Sequence, residues 1–331
     1  NKVQKLKVRT EFIDVYRGIG IFLMIACHVY FGYAFDKFVH AFHMPMFFFV
    51  SGFFFRFSDT KNFLKKKIKT LIIPYIIFGS LNIYIYSLLK GKFYYNAFEH
   101  LFWINTEGLM DIGAVWFLTS LFWASIIYLI INKLVMPRSM IYLIVVMLAI
   151  FGNLSYQLSS IRLPWSLESA FVAVGFIHLG NIFYKKKNNT IINRIFKLRF
   201  FELLILTVIT CYLIYINGYI NMRTGQYANI SLFWINALLS IIIVWNTSKF
   251  LVYTFNKKGR FGKLIYFIKI MGRDSITFLC LNQIVICTLN IILPVFNIYI
   301  RKICILVITI FLLFVLNHIL SNTKIKIILG K

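Results

Sequence analysis

Three ionisable side chains stand where a membrane-crossing helix is most expensive to charge. The segment EFIDVYRGIGIFLMIACHVYFGYAF, Glu11 to Phe35, carries Asp14, Arg17 and His28 among apolar residues. A charge at the centre of a bilayer costs at least about 2.5–3.5 kcal/mol, so each asks for a reason. At about 100° per residue, Arg17 and His28 differ by about 20° around a helix and by about 16 Å along it. Asp14 falls about 40° from His28, so one face carries a carboxylate, a guanidinium and an imidazole. A fixed planar cation suits phosphate groups. An imidazole inside a membrane suits proton transfer, because its pKa can be tuned across neutrality. The plainer alternative makes Arg17 an interfacial anchor paired with Asp14, and has His28 donate to a backbone carbonyl. Spacing alone does not choose between them.

The next apolar segment adds two histidines. In FVHAFHMPMFFFVSGFFFRF, His40 and His43 are three residues apart and share a helical face. His43 falls about 8 Å, and His28 about 10 Å, below the same membrane surface. Two imidazoles on adjacent helices are therefore expected at similar depth, whereas His40 reads as interfacial. Pro45 is expected to break the helix and free carbonyls toward something polar. Ser51 and Gly52 interrupt the Phe blocks, the glycine allowing close helix approach.

The elements that must position these residues are helices. Of 331 residues 60% are hydrophobic and 14% charged, against about a quarter charged in soluble domains. Apolar runs of about 20 residues recur, the length that crosses a bilayer core. The predicted fold is an all-α polytopic bundle, a single domain over 1–331 with about ten spans. These are 12–35, 38–57, 70–89, 112–131, 139–154, 166–184, 200–220, 230–246, 275–293 and 303–320. The fifth is short for a crossing. The basic, partly apolar stretch 247–274 is expected along the membrane surface. The N-terminal apolar run lacks a small-residue cleavage site and reads as a retained first span.

Charge orients the bundle. The chain has 36 Lys and Arg against 10 Asp and Glu, a net charge of +26. The basic residues sit in short blocks between apolar runs, which points to lipid headgroups rather than nucleic acid. With both termini in the cytoplasm, 28 basic residues lie inside and 7 outside, Arg17 being within the first span. The four-to-one bias sets the orientation. Cys27, Cys211, Cys280, Cys287 and Cys304 all fall in apolar runs without CxxC or ligand spacing. Disulfides and zinc are therefore not expected, and no metal is assigned.

These residues carry a family resemblance. The run IDVYRGIGIFLMIACH, with Asp14, Arg17, Gly18 and His28, resembles the first span of the membrane acyltransferase-3 family, whose fucose 4-O-acetylase-like members O-acylate surface sugars. FHMPMFFFVSGFFF (42–55) resembles the family's second span nearly letter for letter. KKKIKTLIIPY (65–75), GAVWFLTSLF (113–122) and MGRDSITFLCLN (271–282) follow in the family's order.

The resemblance implies acyl transfer, typically of acetyl from acetyl-CoA as co-substrate, to a sugar hydroxyl. Arg17 and His28 match the functional pair, with Asp14 beside them. Arg17 and the inner Lys65, Lys66, Lys67 and Lys69 would hold the CoA phosphates. His28 would act as general base or transient acyl carrier. Acceptor-side or supporting roles fall to His43, Ser51, Glu107, Trp116 and Asn282. The expected partners are acyl-CoA, a surface glycan or lipid-linked sugar, and membrane lipid.

Two departures stand out. Relatives often carry a histidine where this chain has Asn282 followed by Gln283, and Arg273-Asp274 replaces a commoner basic-Asn pair. No fused hydrolase domain is present in the sequence, so the membrane domain itself would hand the acyl group over. Glu107, Asp111 and Trp116 lie near the expected outer mouth. His100 and His318 read as interfacial, and His178 as polar glue between helices. The competing function is a transporter or flippase whose path the same Arg and His would line, although no paired interrupted spans support it. Abundant Ile, Lys, Asn and Phe fits an AT-rich bacterial genome, hence a bacterial plasma membrane.

Overall fold

A computed structural model describes residues 2–159, 162–255, 259–294, 297–323 and 329, the side chains of 2–10, 110, 111, 156 and 159 excepted. The expectations for Lys2, Lys5, Lys7, Arg9, the Asp111 side chain and the C-terminal lysines lie outside the described residues. The helices are α1 (Lys2–Val29), α2 (Tyr33–His40), α3 (His43–Phe53), α4 (Thr60–Lys67), α5 (Ile73–Lys90), α6 (Tyr95–Phe102), α7 (Trp116–Lys133) and α8 (Arg138–Ser159). They continue as α9 (Leu167–Lys185), α10 (Thr190–Ile195), α11 (Phe200–Ile216), α12 (Ile230–Phe255), α13 (Arg260–Arg273), α14 (Ser275–Ile292) and α15 (Ile298–Asn322). Among the described residues no strand forms, and Asn221 and Gln226 make one isolated bridge. The fold is an all-α polytopic bundle.

Eight helices among the described residues are long and apolar enough to cross a membrane, and α11 is a shorter apolar one. The second crossing expected from sequence is broken. In place of one helix over 38–57, α2 and α3 meet at Ala41 and Phe42, where Phe42 has φ −148°. The break precedes Pro45 rather than falling on it. Proline at the third position of α3 needs no donor, because the first turn has no carbonyl behind it to satisfy. The third crossing starts earlier than 70 and runs Thr60–Lys90. A π turn at Ile68–Ile72 sits just before Pro74 and absorbs its missing N–H. The fifth extends past 154 to Ser159, and the eighth runs past 246 to Phe255.

Helix α13 does not lie apart from the bundle. It packs along α1, with Ile265, Met271 and Gly272 buried, while Phe261, Leu264, Tyr266 and Phe267 remain exposed. The approach is backbone to backbone. A Cβ on Gly272 would sit 1.7 Å from the Asp14 carbonyl oxygen, and one on Gly18 would sit 1.9 Å from that of Ile268. This explains why glycine follows Arg17: the crossing seats the Asp14–Gly18 turn against α13. At this end Trp245 of α12 makes edge contacts with Phe12, Tyr16 and Phe53, closing a core around α1 and α3.

Gly272→Val has nowhere to put its side chain. It is expected to destabilise the fold by about 1–3 kcal/mol or more through overpacking, read as a lower unfolding midpoint of the detergent-purified protein.

Candidate active site

Helix α1 ends one residue after His28. Tyr30 takes φ +62° and bonds from its N–H to the Cys27 carbonyl at 2.9 Å, and Gly32 takes φ +127° before α2 begins. The chain therefore reverses, laying α2 and then α3 back beside the end of α1. His28, His40 and His43 meet as a result. All three line one cavity of about 240 Å³, with Met24, Trp116, Tyr219, Asn221, Arg223 and Gln283 among its other walls. A second cavity of about 300 Å³ lies on the other side of His28, lined also by Lys90, Gln283, Cys287 and Asn290. His28 and Gln283 are common to both.

The protonation pattern of His28 follows from its partner. Asn282, fully buried on α14, points its amide N–H groups at the carbonyls of Phe278 (2.9 Å) and Leu279 (2.7 Å) of its own helix. Its oxygen is thereby left to face His28 Nδ1 at 2.6 Å. An acceptor at that distance requires Nδ1 to carry the proton, which leaves Nε2 as a bare lone pair. His43 is set the same way: its Nδ1–H donates to the Val39 carbonyl at 2.8 Å. The same cavity thus holds two imidazoles of defined tautomer, His43 buried and His28 partly so.

Two features hold the cavity's other walls. Gln283, next to Asn282, accepts from the Ala114 N–H at 2.6 Å and so fixes the 3₁₀ turn that delivers Trp116. The loop between α11 and α12 is closed by the Asn221–Gln226 bridge, and Arg223 donates from Nε to the Thr106 carbonyl at 3.1 Å. Arg223 is the cation of this cavity. Arg162 ties the loop down, bonding the Thr224 carbonyl at 2.6 Å and Glu107 at 2.9 Å.

Beside the cavity, Asp36 and His40 of α2 meet Cys27. Asp36 stands outside the crossing helices. Burial alone would raise its carboxyl, but hydrogen bonds from His40, Cys27 and Tyr219 outweigh burial and hold it below the usual carboxylate range. Burial and the bond to Asp36 push the Tyr219 hydroxyl up, so it stays a donor.

The residues singled out from sequence separate into groups. His28, His43, Trp116 and Asn282 come together, the first three as walls and the last as support. Arg17 lines neither cavity. It has no carboxylate within ion-pairing distance among the described residues, and its guanidinium lies 5.9 Å from the Phe54 ring centre. The pairing of Arg17 with Asp14 entertained from spacing is not formed. Between Arg17 and His28 the stripe is filled by Ile21 and Met24, both fully buried, Met24 also lining the 240 Å³ cavity.

Ser51 donates to the Phe47 carbonyl one turn back at 2.8 Å and is not a cavity wall. Glu107 belongs to the Arg162 clamp. Lys65, Lys66, Lys67 and Lys69 lie along α4 and the π turn, with Lys67 5.4 Å from the Phe63 ring. The atypical Arg273-Asp274 pair bonds to itself at 2.9 Å, and Asn317 of α15 donates to Asp274 at 3.1 Å, fastening α15 to the α13–α14 corner. His178 bonds Tyr128 at 3.2 Å, joining α9 to α7 as expected of polar glue.

Sequence reading missed Asp36, Tyr219, Arg223 and Gln283. Of these only Gln283 had a local signal, its place beside Asn282; the others depend on loop closure.

The family model described as an acyltransferase domain matches residues 10–322. The chain belongs to the acyltransferase-3 family. No curated protein and no solved structure matches it. Family membership supports a membrane acyltransferase, and the several apolar helices suggest a multi-pass membrane protein. In this acyltransferase-3 chain Asn282 sets the tautomer of His28.

Asn282→Leu removes the acceptor that keeps the proton on Nδ1. Acyl transfer by the purified variant is expected to fall about 10- to 100-fold in kcat, as when a partner that orients an imidazole is removed, with KM for the acyl donor unchanged.

Proposed function

We propose that the protein is a membrane O-acyltransferase that moves an acyl group, acetyl in the simplest case, from coenzyme A to a hydroxyl of a surface or lipid-linked sugar. The observation that carries this reading is His28, its Nδ1 committed to Asn282 and its Nε2 left as the base in a cavity walled by Trp116 and Arg223. The acceptor hydroxyl gives its proton to Nε2 while its oxygen attacks the thioester carbonyl. The carbon–sulfur bond breaks, and the CoA thiolate takes the proton back from the imidazolium. A transient acyl group on Nε2 is the two-step version of the same chemistry. Arg223 stands where a cation would offset charge developing on the carbonyl oxygen. The Trp116 ring offers a face for a sugar. No metal is needed at the reacting atoms.

The donor enters from the Arg17 end. The basic bias places that end in the cytoplasm, of a bacterial plasma membrane on this reading. Arg17 and the lysines of 65–69 hold the CoA phosphates. Ile21 and Met24 occupy the stripe between Arg17 and His28, so the pantetheine arm reaches His28 only when α1 and its neighbours part. At the same end Glu11 pairs with Lys269 at 2.8 Å and Asp274 with Arg273.

Radiolabelled acetyl-CoA incubated with purified protein and a sugar acceptor tests the proposal. His28→Ala is expected to lower transfer by about 10²- to 10⁴-fold, the usual contribution of a general base. Glycan movement across vesicles without consumption of acetyl-CoA would instead identify a transporter. Arg17→Ala is expected to weaken acyl-CoA binding far more than acceptor binding; equal loss of both in a folded variant contradicts the phosphate role.

A further inference from the structure

The reversal after α1 brings together three side chains of different chemistry that the transfer reaction does not use. Cys27 Sγ lies 3.0 Å from Asp36 Oδ1 and 3.3 Å from His40 Nδ1, and those two atoms lie 3.4 Å apart. Cys27 is buried, while Asp36 and His40 share one face of α2 four residues apart. A thiolate, an imidazole nitrogen and a carboxylate oxygen form a donor set suited to zinc. With Zn–S of about 2.3 Å and Zn–N and Zn–O of about 2.0–2.2 Å, tetrahedral angles put the three donor atoms about 3.4–3.6 Å apart. The observed triangle already has its nitrogen–oxygen edge and needs its two sulfur edges opened, the one to oxygen by about 0.5 Å and the one to nitrogen by about 0.2 Å on that geometry.

The surroundings fit an ion as well. Tyr219 donates to the other carboxylate oxygen of Asp36 at 2.5 Å, the kind of outer partner that orients a ligating carboxylate. The Tyr219 ring packs against His40 with centroids 5.6 Å apart. His40 and Tyr219 both border the 240 Å³ cavity, from which a water can supply a fourth ligand. His40 Nδ1 now lies 3.0 Å from the Asp36 carbonyl, so binding moves the ring proton to Nε2. The thiol proton leaves as Cys27 becomes a thiolate.

We propose that Cys27, Asp36 and His40 form a zinc site that clamps α2 onto the end of α1 and holds His40 against the acyl-transfer cavity. The rival state of the same atoms is a metal-free hydrogen-bonded triad, and the two make different materials. Untagged full-length protein, purified in detergent without chelator, is assayed for metal by mass spectrometry. Zinc near one equivalent per chain, lost in Cys27→Ala and in Asp36→Ala, is the expected result. Exchange with Co²⁺ in the wild type is expected to give a thiolate-to-cobalt charge-transfer band and the visible bands of four-coordinate cobalt. Cys27→Ser should abolish the former. Absence of stoichiometric zinc together with absence of the cobalt band overturns the site, as does zinc that persists in Cys27→Ala. None of these readouts uses acyl transfer, so failure here leaves the proposed activity standing, and the reverse holds.

Discussion

The hydrogen bond between His28 Nδ1 and Asn282 Oδ1 is the constraint on which the site depends. It joins α1 to α14 across 254 residues of chain. Its direction is not free, because both amide protons of Asn282 are taken by carbonyls of α14. A buried amide so committed can only accept, and an imidazole facing it can only donate. The basic nitrogen of His28 is therefore selected by a side chain on another helix.

Around that bond the bundle is built by close approach. Glycine at 272 and 18 lets α13 touch α1 at the Arg17 end. A similar approach at Gly52, where a Cβ would meet the Ile177 carbonyl oxygen at 2.0 Å, lets α3 touch α9. With lipid outside, there is little hydrophobic drive between helices, so such contacts and buried polar bonds carry the packing. The polar links are distributed accordingly. Asn82 donates to the Cys280 carbonyl at 2.7 Å, Thr277 to Asn317 at 3.1 Å, and Ser169 to the Met222 carbonyl at 2.7 Å. The last of these places the α11–α12 loop, and with it Arg223, over the His28 cavity.

The charged residues divide by the same logic. At the α1–α13 contact Lys269 pairs with Glu11, and at the α13–α14 corner Arg273 pairs with Asp274. Arg162 clamps loops through Glu107 and the Thr224 carbonyl. Arg17, by contrast, makes no direct ion pair among the described residues, and Asp14, three residues before it on α1, is the carboxylate that acts on it through space. A guanidinium on a crossing helix is costly unless an anionic group lies near it.

Much of this was legible in the sequence. Hydrophobic runs alone specified an all-α polytopic bundle, because a bilayer admits little else. The helical spacing of Arg17 and His28 needed only one continuous helix, and α1 is continuous over both. His43, Trp116 and Asn282 were found because each belongs to an ordered local motif. What tertiary structure decided was everything that depends on reversal and closure. The left-handed turn at Tyr30 brings Asp36 and His40 back to Cys27, a grouping hidden from any search for short ligand spacing. Loop closure brings Tyr219 and Arg223 to His28 from almost 200 residues away, and engages Glu107 with Arg162 instead. A sequence displays periodicity along one helix; which side chains face each other across helices is set by packing and by the hydrogen bonds that buried polar groups must find.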